Sequence, residues 1–433
     1  MIRPLVLASL LLVAACNKAP SHPNDDLNSI ARDYVKLSLT IGEKEEGYID
    51  AYYGPAELQA AAKADAPKAS LDALLAQVDA LKKRADAFSG EGEDASDVRR
   101  AKFLSAQLTA AATRLRMMRG EKLSFEDEAQ GLFGVRPKLQ PLSSFDPIVA
   151  RIEALVPGSG PLPARLDAFN NRFNIAKDKL KPVFDAAIAE CRRRTLEHIK
   201  LPANERFDMA FVTGKSWGGY NYYQGNNHSK IEINTDLPIR ISRAVDLGCH
   251  EGYPGHHVLN SLLEEKLTKA KKWIEFSVYP LYSPESFLAE GSANYGIHLA
   301  FPGKEQLEFE KRVLYPLAGL PTVDADRRYE LQEATQGLSG ANFAIAKQYL
   351  EGRINDAQAI QLLQKYLILT PERAKKSLDF TKQYRSYIIN YGLGQDMVRA
   401  DVEAAGADPK ARWARMETLL SEPTLPSDLK GSR

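Results

Sequence analysis

Cysteine is scarce. The chain has three, Cys16, Cys191 and Cys249, among 433 residues. If Cys16 is used elsewhere, at most one disulfide can form, so a fold built on several of them is excluded. The spacing leaves open whether Cys191 and Cys249 pair or stay as two buried thiols. Excess charge of either sign is also missing. Removing residues 1–15 deletes Arg3 and no acid, so the formal net charge of +1 becomes 1 − 1 = 0. The electrostatic footprint of nucleic-acid binding is therefore absent. Long apolar runs are missing as well: the longest, residues 5–13, is well short of the roughly 20 residues a membrane-spanning helix needs. No internal repeat is found.

That short apolar run follows Arg3 and ends in Val13-Ala14-Ala15-Cys16, the order of a bacterial signal peptide over residues 1–15. The last four residues resemble a lipobox, which implies a lipidated Cys16 as the new N-terminus and membrane attachment through that lipid. Asn17 stands where an inner-membrane lipoprotein would carry Asp, so the expected location is the cell envelope, on the periplasmic side of the outer membrane. The mature chain then has 433 − 15 = 418 residues, enough for one large core or two coupled ones. Residues 16–27 are polar, contain proline and lack a period, and are read as a tether.

Beyond the tether the pattern is helical, and residues 28–200 are taken as an N-terminal helical region. Leu71, Leu74, Leu75, Val78 and Leu81 share one helix face, and Leu104, Leu108, Ala111, Leu115 and Met118 share another. Glycine- and proline-rich breakers fall at 89–93 and 156–161, after which a single long helix is predicted over 165–200. Its Arg192-Arg193-Arg194 cluster is read as a solvated face. Between Phe207 and Ile241 aromatic and β-branched residues alternate around the turn Gly225-Asn226-Asn227-His228, which predicts the chain's one clear strand region. Helical patterning then resumes, giving a mostly α fold with a small sheet and a catalytic region over 201–433.

The chemistry concentrates in His250-Glu251-Gly252-Tyr253-Pro254-Gly255-His256-His257, which holds three of the seven histidines. Zinc hydrolases place His-Glu on a helix with a second His one turn later. Here that His is displaced: on a straight helix position i+6 lies about 120° from i, and i+7 lies roughly 10 Å further along the axis. Pro254 and Gly255 can supply a bulge that restores the geometry, favouring His256 as second ligand with His257 as the alternative. A third ligand should come from another helix. Ser283-Pro284-Glu285 reads as a cap, an N1 proline and a first-turn acid, opening a helix that carries Glu290 between small residues. Glu285 competes, although a first-turn acid is also explained by the helix dipole.

These two motifs, with Tyr52-Tyr53-Gly54-Pro55, resemble the bacterial domain-of-unknown-function family 885. That family is grouped with gluzincin peptidases such as thermostable carboxypeptidases and angiotensin-converting enzyme. The resemblance covers most of residues 28–400. It implies a gluzincin-like helical fold with the sheet beside the zinc-binding helix, a Zn2+ ion on His250, His256 and Glu290, and Glu251 as general base. Two departures stand out. Ser292 replaces the usual Trp, which predicts a reshaped pocket near the metal, and Tyr391-Gly392-Leu393-Gly394 lacks the Pro-Gly-Gln that precedes the family's Tyr-x-x-Gly.

The expected function is a zinc metallopeptidase cleaving short peptides. Glu251 takes a proton from the attacking water, and Tyr391 or Tyr387 donates to the oxyanion; each tyrosine could also be a core aromatic. Tyr220-Asn221-Tyr222-Tyr223 could pair with an extended peptide substrate or simply be a hydrophobic sheet strand. Arg385 and Lys382 could take a terminal carboxylate or be surface charges. Two rivals remain: a non-catalytic, zinc-stabilised peptide-binding lipoprotein, and a zinc amidase or esterase acting on non-peptides. A base beside the first ligand argues against the former.

Overall fold

The computed structural model describes residues 23–88 and 94–430. The signal segment, Cys16 and the breaker at 89–93 therefore lie outside the described residues. The fold is mostly helical with a small sheet.

Local sequence explains the helices. In Leu71–Asp86 the Ser70 side chain accepts from the Ala73 amide, and Lys83 and Arg84 offset the dipole in the last turn. Leu74, Val78 and Leu81 are buried along one face. Each fully buried leucine contributes roughly 1.5–3 kcal/mol, and tertiary packing decides which of the apolar stripe is covered. Ala95–Met118 repeats the pattern, capped by Asp94 and burying Leu104, Leu108, Ala111 and Leu115. These helices and Pro23–Gly42 build one apolar core, which also takes in Val278, Tyr282, Phe287, Phe343 and residues 387–389. A second, larger core gathers Phe103 and residues from Phe145 onward.

Three expectations change. The first helix begins at Pro23, inside the segment read as tether, and buries Leu27 completely. The single helix predicted over 165–200 is two, Leu162–Asn171 and Leu180–Leu196. Between them Ile175 gives its amide to the carbonyl of Ile239, a tertiary bond that the local pattern does not reveal. The arginine cluster is not merely solvated. Arg192 pairs with Glu205, Arg193 with Glu190 and Glu197, and Arg194 with Glu190 and Glu305.

The strand region appears as β2 (Arg206–Val212), β3 (Gly219–Tyr223) and β4 (His228–Asn234), in the order β2-β4-β3. β4 is parallel to β2 and antiparallel to β3, which leaves β3 at the edge of its sheet. The turn before β4 has φ of 75° at Gly225, 54° at Asn226 and 58° at Asn227, the left-handed region that glycine and asparagine tolerate. A second pair was missed by the sequence reading: β1 (Ile49–Tyr52) runs antiparallel to β5 (Val278–Pro280). Both are too short for alternation to show.

At the centre lies the helix Pro284–Ala300, buried along nearly its whole length. Its start follows the sequence reading, with Ser283 Oγ accepting from the Ser286 amide at 3.2 Å and Pro284 in the first turn. It crosses the helix Ile389–Glu403 closely. A Cβ on Gly291 would stand 2.5 Å from the carbonyl carbon of Gly394. Those two glycines let two helices approach where one of them carries Glu290.

Candidate metal centre

The segment with the histidine cluster does not form one bulged helix. Ser242–Leu247 continues into a widened turn over Gly248–Gly252, the chain extends at Tyr253, and a new helix starts at His256. Glycine at 255 is what allows this return: a Cβ there would lie 1.7 Å from the carbonyl oxygen of His250. The Gly255 amide donates to the Cys249 carbonyl at 3.0 Å, closing the loop. Cys249 is itself bonded to Cys191, so the turn is stapled to the helix Leu180–Leu196.

The break brings His256 to His250. Their Nε2 atoms are 3.1 Å apart with the rings nearly perpendicular at 88°. Glu290 reaches the same point, with Oε2 3.2 Å from His250 Nε2 and Oε1 3.7 Å from His256 Nε2. One ligand atom from each of the three falls within 4.8 Å of the others. His257 points away: it is fully buried, with Nδ1 2.8 Å from Ser229 Oγ and Nε2 3.0 Å from Glu205 Oε2. Glu285 is also elsewhere, accepting from Gln107 at 3.2 Å, and burial pushes its carboxyl up to about 8.

Hydrogen bonds around the site fix the ring states. Asn294 gives its side-chain amide to the carbonyl of Tyr391 at 3.2 Å, which turns its oxygen to His250 Nδ1 at 3.1 Å. An oxygen there requires a proton on Nδ1, so the neutral ring keeps its lone pair on Nε2, facing His256 and Glu290. Tyr387 donates to Glu290 Oε1 at 2.8 Å, whereas the buried Oε2 makes no hydrogen bond. Two imidazole nitrogens and an orphaned carboxylate oxygen converge on one point. This donor set fits a divalent metal ion of the borderline class.

Electrostatics tell the same story. Burial favours a neutral His250, but the close approach of the Glu290 carboxylate and the charge of Glu251 hold it up at about 8. Burial pushes the neighbouring His256 down to about 4. His250 thus favours a positive charge at the place where a cation would sit, and metal binding would displace that proton. Glu251 is raised to about 7, chiefly by burial, with Glu290 adding and His250 opposing.

Glu251 faces β3. A Cβ on Gly219 would come within 2.9 Å of Glu251 Oε1, and Asn221 donates to the Glu251 carbonyl at 2.7 Å. His250, Glu251, His256 and Glu290, with Tyr387 and Tyr391, line a cavity of about 1480 Å³. Tyr391 makes no hydrogen bond through its hydroxyl among the described residues, and burial holds it firmly protonated. The other sequence candidates sit elsewhere. Arg385 pairs with Glu128 at 2.7 Å and Lys382 with Asp356 at 2.6 Å. Ser292 is buried, donates to the Ala289 carbonyl at 3.1 Å and is not among the residues lining this cavity. Asn294 was missed, although its place four residues after Glu290 puts it on the same helix face.

The fold has a counterpart. A protein from Colwellia psychrerythraea described as a lipoprotein superposes with a TM-score of 0.51 at 14% identity, over 84% of this chain and 70% of that one. That likeness speaks to the fold alone. An M32 carboxypeptidase from Deinococcus radiodurans R1 aligns over 91% of this chain and 88% of its own at 13% identity, with a TM-score of 0.40. No family model and no curated protein matches the sequence. Among the described residues no helix is long and apolar enough to cross a membrane.

Proposed function

We propose that the chain is a zinc-dependent peptidase of the gluzincin kind, related to family 885 and held in the bacterial envelope by a lipid on Cys16. The observation that carries the reading is the unpaired, buried Glu290 Oε2 beside two histidine Nε2 atoms, with a raised carboxyl, Glu251, next in sequence to the first histidine. His250, His256 and Glu290 hold the ion, which supplies Lewis-acid polarisation of a carbonyl and acidification of water when bound. Glu251, poised near neutrality, takes the proton of the attacking water and passes it to the leaving amine. Tyr391, with a free phenolic proton, donates to the developing oxyanion. Tyr387 is committed to Glu290 and positions that ligand.

Substrate class follows from the cavity. Its volume accommodates several residues of extended chain, and β3 offers an unpaired edge along which a peptide can add as a strand. The Cys191–Cys249 bond supports an oxidising compartment. Elemental analysis of the purified protein and of His256→Ala and His257→Ala, alongside a peptide-library digest read by mass spectrometry, tests the reading. Zinc should be present in the parent and lost in His256→Ala, and peptides should be cleaved. Zinc without turnover of any peptide would favour the non-catalytic clasp.

A further inference from the structure

We propose that Asp50 and Tyr220 form a subsite beside the metal centre that binds an ammonium group of the substrate. The proposal rests on the peptidase reading and adds to it what the cavity selects.

The Tyr52-Tyr53-Gly54-Pro55 segment has no part in the metal centre, yet it is firmly anchored. Tyr53 donates its hydroxyl to the Phe276 carbonyl at 2.5 Å and its amide to the Ser277 carbonyl at 3.0 Å. Tyr52 donates to the Pro55 carbonyl at 2.7 Å, and a Cβ on Gly54 would lie 2.4 Å from Ser277 Oγ. These contacts pin β1 to β5, and just upstream the register slips. Ile49 faces Pro280 and Ala51 faces Tyr279, which leaves Asp50 as the extra residue of a bulge. Bulges re-aim side chains, and this one turns a carboxylate into the cavity.

There Asp50 accepts a hydrogen bond from Tyr220 of β3 and has no lysine or arginine partner among the described residues. Asp50 is half-buried, and a carboxylate withdrawn from bulk water ordinarily has a cation to offset its desolvation. The surroundings call for one: the cavity is lined by nine acidic and five basic side chains, although the whole chain carries a formal charge of only +1. Arg114, one of the basic residues of the lining, is engaged by Glu45 and lies over the Tyr282 ring. Tyr222 packs against Tyr220 with ring centroids 4.5 Å apart, and Tyr279, which pairs with the adjoining Ala51, lines the cavity together with Tyr220. Burial raises Asp50 to about 7, a cost that a bound cation would relieve. A peptide lying along β3 passes Tyr220 and so brings its ammonium to Asp50.

The ammonium could be the α-amino group or a lysine side chain, and binding measurements separate them. The mature full-length protein carrying Glu251→Gln, loaded with zinc, is titrated calorimetrically with trialanine, N-acetyl-trialanine and N-acetyl-Ala-Lys-Ala. Asp50→Asn in that background should weaken binding of an ammonium-bearing peptide about 10- to 100-fold, the range for a charge-assisted hydrogen bond, and leave N-acetyl-trialanine unchanged. Loss confined to trialanine assigns the α-amino group, and loss confined to the lysine peptide assigns the side chain. Equal weakening of all three peptides, or of none, overturns the proposal. Should Asp50→Asn fail to fold, Tyr220→Phe, which removes the hydroxyl that holds the Asp50 carboxylate, should weaken the ammonium-bearing peptides and spare N-acetyl-trialanine, and unchanged binding of all three overturns the subsite. Failure of the peptidase reading is separable: with no peptide cleaved or bound, Asp50-dependent binding of n-butylamine still supports the subsite, and its absence overturns it.

Discussion

Glu251 and Asn294 do different work although both touch His250's surroundings. Glu251 makes no side-chain hydrogen bond to a ligand among the described residues, so Glu251→Gln should leave zinc content and melting temperature nearly intact. Turnover should fall by about 10² to 10⁴, the usual contribution of a general base. Peptide turnover measured beside zinc content checks this, and undiminished turnover with zinc bound removes Glu251 from the mechanism. Asn294 acts through the ring proton of His250. Without its oxygen the imidazole can swap tautomers and rotate, so Asn294→Ala should lower metal affinity typically 10- to 100-fold while the ligand set stays whole. A competition titration with a zinc chelator reads that shift. Asn294 was within reach of the sequence, through its i+4 relation to Glu290. Tyr387 was less so, because its link to Glu290 joins residues 97 positions apart.

At the level of elements, the departure from a straight helix is the decisive local event. Pro254 and Gly255 announce a distortion, but not that one helix ends at Gly252 and another begins at His256. Gly255→Ala is the sharpest test, because its Cβ would overlap backbone, not a yielding side chain. We expect loss of stoichiometric zinc and a clear fall in melting temperature, checked by elemental analysis and calorimetry; unchanged zinc would mean that the loop is not held as described. The disulfide acts on the same turn. It closes a segment of 58 residues, worth about 4 kcal/mol on the loop-entropy account. Cys191→Ser with Cys249→Ser should lower stability by up to that amount and weaken zinc binding, since His250 adjoins the staple. Equal zinc affinity in the double variant would confine the disulfide to global stability.

Across the whole molecule, the cavity is lined from both cores, with Tyr387 from one and Leu247, just before the histidine turn, from the other. Behind the site, Glu205 ties the second core to the loop through His257, Tyr253 and Arg192. Burial alone would raise this carboxyl, but those hydrogen bonds outweigh it and hold Glu205 at about 2, below its ordinary 4.5. A depressed carboxyl stabilises the fold fully above its unfolded value, and that stability is lost as pH falls from about 4.5 through about 2. Wild type should therefore lose melting temperature over that window more steeply than Glu205→Gln. The variant should be the less stable of the two near neutral pH. Parallel acid limbs for the two proteins would show that Glu205 titrates normally.

Much of this protein was written in local order. Helix periodicity, the Ser283 cap with Pro284 behind it, the aromatic strand region and the crowding of three histidines are short-range patterns, and short-range sterics and hydrogen bonding settle them. The same patterns failed wherever a distant partner intervened. Ile239 interrupts a helix at Ile175, Glu205 and Ser229 claim His257, and Val278–Pro280 makes a strand of four residues that show no period. Whether Cys191 meets Cys249, which histidine joins His250, and which way Asp50 points depend on how elements far apart in the chain are packed together. Backbone propensity acts over a few residues, whereas burial and long-range pairing act over the whole fold, and only the latter could decide them.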